Sequence, residues 1–352
     1  MAKTTVPGFL PTLGHRVCCL MADKLELIND IPVFGHIWPK IMIDLTGSRL
    51  KHRAGTGVFG MLLRREHSGT VYTCAGGFVD LGHLRDFADL TRHYYYALVR
   101  RAKNGVVPST TRFELLASHG GITGDVVIQR DIPAASVADL KGIIDVARSI
   151  SYDISVIYEI QTYAQLRIGG RSSSFSPEDL VSNYLGTYVG GRALELQIAN
   201  SKTLPTGPAD QLATTFDQAV TEELEALLLR LHAVDVPTTL TAFERIDGRW
   251  VNSDFPVPNF WNTNYVRRRN FHIRPIQPWL VREFGPCVDT DWPEEVDQQL
   301  PAEAVSAHLC TYNFEERFFN NLIFLNTNFN DYIEQIKADA RVRYGADFDK
   351  PT

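Results

Sequence analysis

The run HLRDFADLTRHYYYALVRRAK contains no Gly or Pro, and its apolar residues Leu84, Phe87, Ala88, Leu90, Tyr94 and Leu98 recur near helical spacing. That pattern predicts a helix opening after Gly82, capped by Asp80 or Gly82. The strongest helical signal lies further on, in SVADLKGIIDVARSISYDISVIYEIQTYAQLRIGG. There Leu140, Ile143, Ile144, Ala147, Ile150, Ile154 and Ile157 form one stripe. Ser136 and Asp139 mark the start and Gly169-Gly170 the stop, so the helix should span Val137 to about Ile168. In FSPEDLVSNYLGTYVGGRALELQIA, Ser176 caps, Pro177 sits in the first turn, and Gly186 interrupts or ends the helix. FDQAVTEELEALLLRLHAVD is amphipathic, and YNFEERFFNNLIFLNTNFNDYIEQIKADARVRYG closes the chain as helix.

Elsewhere the pattern turns to short strands. INDIPVFGHIWPKIMIDL is broken by Pro32, Gly35 and Pro39. GVFGMLLRREHSGTVYTCAGGF reads as two strands around His67-Ser68-Gly69, and RFELLAS and DVVIQRDI as a hairpin around HGGITG. FERIDGRWV carries an Asp-Gly hairpin signature, and NTNYVRRRNFHIRPIQPWLV reads as extended. The sum is a single α+β domain: a strand-rich part over 1–82, a helical centre over 83–235 built on one long helix, and a mixed part over 236–352, with short antiparallel strands and hairpins flanking the helices.

Composition is ordinary for a globular chain, with 44% hydrophobic and 22% charged residues. A net charge of −6 without a dominant basic run argues against nucleic acid as a partner. No segment is long and apolar enough for a membrane span or a signal-peptide core, which predicts a cytoplasmic protein without a membrane partner. Five scattered cysteines, Cys18, Cys19, Cys74, Cys287 and Cys310, fit reduced thiols in that compartment.

Candidate chemistry concentrates in GGFVDLGHLRDFADLTRHYYY. His83 and Asp86 are one helical turn apart, spaced as metal ligands or as a base with its orienting partner. Equally, His83 suits a cap and Asp86 a helix N-terminal acid. Asp89, between Arg85 and Arg92, reads as a surface ion pair, and Tyr94 as buried. On the long helix Glu159 is flanked by Tyr152, Ser155, Thr162 and Tyr163; it is either paired in the interior or on a wet face. Glu178 and Asp179 fit a capped first turn, with Asp179 completing a capping box. Arg267 and Arg269, alternating on an extended segment, would share a face with Phe271 and suit an anionic substrate group. No phosphate loop, nucleophile elbow or HExxH is present, and no organic cofactor is evident.

Several strings, taken in order, resemble a bacterial family known as domain of unknown function 4056: HRVCCLM, NDIPVFG, VYTCAGGFVDLGHLRDFADLT, SVIYEIQTYA, FSPEDLVSNYLG, DGRW and RRRN. The resemblance implies a His-Glu-x-x-Thr-Trp string on the long helix, like half of a zinc-hydrolase helix. This chain has Tyr158-Glu159-Ile160-Gln161-Thr162-Tyr163 there, with tyrosine in the first ligand's place. The expectation is a metal-dependent enzyme for a small-molecule substrate, such as a biosynthetic tailoring enzyme, holding zinc or iron. His83, Asp86, Glu159 and Glu178 would be ligands and Glu159 and Tyr158 catalytic, with Arg267, Arg269 and Tyr163 at the substrate. Glu159 would be general base in a hydrolase and a ligand in a non-haem iron oxygenase. The competing expectation is a non-catalytic small-molecule-binding protein with a degenerate metal site. Oligomeric state has no signature in the sequence.

Overall fold

The computed structural model describes residues 70–349 apart from 116–121, 170–173, 202–208, 251–265, 285–286, 288–290, 298–299, 315–321 and 325–328. The expected strands before Thr70, and Cys18 and Cys19, lie outside the described residues. A hairpin of β1 (Thr70–Thr73) and β2 (Gly77–Asp80) leads directly into α1 (Leu81–Arg101). Thr70 is opposite Asp80, so the hairpin folds around Cys74-Ala75-Gly76. Gly77 is required there: its φ is +72°, and a Cβ would stand 2.2 Å from the Trp279 carbonyl oxygen.

Short strands β3 (Val106–Val107), β4 (Arg112–Glu114), β5 (Ile122–Ile128) and β6 (Ile132–Pro133) precede α2 (Val137–Gly169), whose extent matches the apolar stripe. Next come α3 (Asp179–Ser201), α4 (Ala209–Arg230) and α5 (Val236–Ile246). The short helices α6 (Glu294–Asp297) and α7 (Ala302–Val305) precede β7 (His308–Phe314), β8 (Leu322–Phe324) and α8 (Phe329–Tyr344). The largest sheet is antiparallel in the order β4-β5-β7-β8, and β3 pairs separately with β6. The fold is α+β with a helical centre.

Helix directions follow from contacts between named residues. His83 bonds Asn183 and Tyr96 bonds Gln197, so α1 and α3 run parallel. Tyr152 packs edge-on against Tyr184, and Arg148 approaches Gly191, so α2 runs antiparallel to both. Gln197 bonds Thr215 and Arg230 bonds Tyr188, which reverses α4 relative to α3. Gly186 does not interrupt α3. A Cβ there would lie 2.3 Å from the Leu84 carbonyl oxygen, and one at Gly190 would lie 2.8 Å from that of Ala88. The two glycines, one turn apart, let α3 lie directly on the α1 backbone.

Two local expectations are corrected. FERIDGRWV is not a hairpin: α5 continues to Ile246 and closes at Asp247 and Gly248, because Ala242, Phe243 and Ile246 are buried in a second core with Trp250 and Trp279. Tyr312–Phe314 do not open the closing helix. They belong to β7, whose alternating burial (His308 and Cys310 in, Leu309 partly out) is a strand's period of two. The expectation of reduced thiols also fails at one pair: Cys74 and Cys287 form a disulfide across 213 positions, while Cys310 is free and buried.

Candidate functional site

Asp80 caps α1, its Oδ1 accepting from the backbone N–H of Gly82 at 2.7 Å and of His83 at 3.1 Å. Its own N–H donates to Ser182 Oγ at 2.8 Å, which fastens the start of α1 to the first turn of α3. Two parallel helix N-termini therefore meet, and their dipoles favour the acidic side chains gathered there. His83 is not the cap; it is the third helical residue, and its ring is buried between helices.

His83 Nδ1 lies 2.7 Å from Asn183 Oδ1. An amide oxygen only accepts, so Nδ1 carries a proton. His83 Nε2 faces Asp179, 3.9 Å from Oδ1. The other oxygen of Asp179 accepts from Ser176 N–H at 2.8 Å, the helix-start contact expected of it. Asp179 thus works as a helix-start acceptor and as a member of the buried cluster. The Asn183 amide is fully enclosed, and its Nδ2 has no hydrogen-bond partner among the described residues.

Glu159 comes from the antiparallel helix α2 and is 1% exposed, which excludes a wet face. Its Oε2 accepts from Phe175 N–H at 2.9 Å. Phe175 adopts φ 57°, uncommon for an aromatic residue, and holds it with its ring packed against Phe271. Burial pushes the Glu159 carboxyl upward from its ordinary range. The charge of His83, the Phe175 N–H, a hydrogen bond with Asp179 and the charge of Arg269 oppose that rise without cancelling it. His83 and Glu159, 76 positions apart, therefore belong to one buried group completed by Asp179 and Asn183.

The remaining expected residues divide. Glu178 is buried beside this group, and Ser176 Oγ donates to its carboxylate at 2.6 Å. Asp86 is buried one turn further along α1, while the contacts that assemble the cluster run from His83 to α3. Arg269 is buried, donates to the Ser174 and Val266 carbonyls, and stacks 5.5 Å from the Tyr163 ring centroid. Tyr163 in turn donates to Asp339 at 2.8 Å, and Tyr158 is half-buried. Arg267 does not share a face with Arg269: it is exposed and donates to the Gly248 carbonyl, because the segment is irregular and not a strand. Asp89, Arg85 and Arg92 are buried, so no surface ion pair forms there. Helices pack on several sides of α1, and Arg92 stacks on Phe216 of α4 at 5.0 Å. Tyr94 is buried as expected.

A second group had no place in the sequence reading. Asp153 on α2 and His308 and Cys310 on β7 bring ligand atoms within 4.8 Å of one another, and all three are buried. This group could hold a metal ion. The alternation His308-x-Cys310 was the only signal, and it becomes legible only once the segment is known to be a strand.

A family model described as protein of unknown function (DUF4056) matches residues 11–279. The chain belongs to that family. Nothing among curated proteins and nothing among solved structures matches it. The DUF4056 match takes in every member of the His83–Glu159–Asp179–Asn183 group, together with Arg269. Of the second group it includes Asp153, but not His308 or Cys310. No helix among the described residues is long and apolar enough to cross a membrane.

Proposed function

We propose that this DUF4056 protein is a metal-dependent enzyme acting on a small molecule, with His83, Asp179 and Glu159 as the residues that would hold the ion. The observation that carries the reading is the contact of two buried carboxyl groups beside an imidazole whose far nitrogen is already fixed. Two carboxylates brought together in the interior repel, so in the metal-free protein Glu159 and Asp179 hold a proton between them. A cation takes that proton's place. Asn183 accepts from His83 Nδ1, which directs Nε2 towards Asp179, the arrangement seen in metal-bound histidines.

One imidazole nitrogen with carboxylate oxygens is a donor set for zinc or iron. A bound ion would supply Lewis-acid chemistry in a hydrolase or oxygen activation in an oxygenase. The chain's own part is positioning and proton handling. Phe175 N–H fixes one Glu159 oxygen, and the raised affinity of that carboxyl for a proton suits an acid–base role. Arg269 clamps the 174–176 turn by its bond to the Ser174 carbonyl, which makes it a positioning residue.

The test is metal content of protein prepared without a polyhistidine tag, compared with His83→Ala and Glu159→Gln. Zinc or iron in the wild type, lowered in both variants, is the expected outcome. Wild-type protein without metal, or variants with undiminished content, overturns the reading.

A further inference from the structure

The group Asp153, His308 and Cys310 lies about 9 Å along α2 from Glu159, six residues at the helical rise. It has a different donor chemistry. His308 is fully buried, and both of its ring nitrogens face acceptors: Nδ1 lies 3.3 Å from the Ala304 carbonyl oxygen and Nε2 3.0 Å from Asp153 Oδ2. A neutral imidazole has one N–H and cannot donate to both. With the proton on Nδ1 facing the Ala304 carbonyl, the Nε2 lone pair is directed at Asp153 Oδ2, a position that a cation between them would fill. The Ala304 carbonyl fixes the proton on Nδ1, as backbone carbonyls do for metal-bound histidines. Arg274 donates to the other Asp153 oxygen, Oδ1, at 2.6 Å, so it orients the carboxylate and leaves Oδ2 towards His308.

The third donor favours a metal ion in that position. Cys310 is a free, buried thiol two residues along β7 from His308, on the same face of the strand. An imidazolium needs no sulfur beside it. A thiophilic ion does, and sulfur, nitrogen and oxygen donors together match a zinc site with a fourth position left over. Burial and the neighbouring Asp153 charge hold the thiol in its protonated form until a metal displaces that proton.

We propose that Asp153, His308 and Cys310 form a second metal site, selective for a thiophilic divalent ion of the zinc type, that fastens α2 to β7. Binding forms bonds to Cys310 Sγ, His308 Nε2 and Asp153 Oδ2. It releases the thiol proton, and any proton on Nε2, to solvent, with no change of oxidation state. Affinity therefore falls as pH is lowered.

Cobalt(II) added to chelator-stripped full-length protein tests this, because a thiolate-bound cobalt gives a near-ultraviolet charge-transfer band and the His83 cluster contains no sulfur. The wild type should give the band, Cys310→Ser should lose it, and Glu159→Gln should keep it, so this site and the proposed enzyme centre fail independently. Zinc should also raise the melting temperature of the stripped wild type more than that of Asp153→Asn, a variant that retains the side chain's shape. No band in the wild type, a band that survives Cys310→Ser, or equal zinc shifts in wild type and Asp153→Asn overturns the proposal.

Discussion

A carboxyl group enclosed like that of Glu159 binds its proton more tightly in the folded chain than in the unfolded one. Because the folded state holds more protons above the ordinary carboxylate pKa, stability falls as pH rises through the folded-state value. Metal-free wild-type protein should therefore lose stability as pH rises above the ordinary carboxylate range. Glu159→Gln, which keeps a Phe175 acceptor and carries no charge, should lose less over the same window. Denaturant unfolding across pH measures this; parallel profiles would refute it. In metal-loaded protein the same substitution should lower stability, since a bound ion stabilises only the folded state. His83 and Glu159 stood out in the sequence because an imidazole and a carboxylate on apolar helices need partners. Sequence spacing pointed to Asp86 because it sees one turn of the same helix, and it could not see Asp179 on α3. Asp179 is 96 positions away (179 − 83), and its first-turn position had already explained it as an end-of-helix acid. Arg267 was misplaced for a related reason: alternation was assumed where the backbone has no regular period.

Among the elements, α2 was the most legible, since an apolar stripe ending in two glycines fixes both type and length. Gly186 was legible as unusual but not as what it is. Read along the chain a helical glycine is a weakness, and only the neighbouring helix reveals it as the contact that admits the Leu84 carbonyl. Gly186→Ala separates these meanings. Helix propensity alone would stabilise by about 1 kcal/mol. With backbone 2.3 Å from the new Cβ, the helices must part, and the expected result is a net loss of about 1–3 kcal/mol in unfolding free energy. Because α3 carries both Asp179 and Asn183, metal content should fall with it. A stabilised variant with full metal content would show that the α1–α3 approach is looser than described. The β7 strand was missed for the opposite reason: its seven residues are few beside the long helical pattern that follows, and pairing with β5 and β8 defines it.

At the scale of the molecule, the Cys74–Cys287 bond joins the β1–β2 turn to the far end of the second core, where Tyr72, Phe78, Trp250, Trp279 and Phe284 pack. Closing a loop of that length should contribute about 2–5 kcal/mol by restricting the unfolded chain. Cys74→Ser should cost that much in denaturant unfolding under oxidising conditions and nothing after reduction. Equal stability of the two oxidised proteins would count against the bond. The reduced state expected from cysteine number and spacing fails at Cys74 and Cys287 because a count carries no information about which sulfurs fold together. The same bond sets an order on biosynthesis. A chain emerging from the ribosome presents Cys18, Cys19 and Cys74 long before Cys287 exists. Where oxidation accompanies synthesis, Cys74 first meets the wrong thiols, so the native pair must arise by exchange or after release. When oxidation precedes release, maturation of this protein should depend on thiol–disulfide shuffling, at a rate set by the cell's isomerases and not by the chain alone.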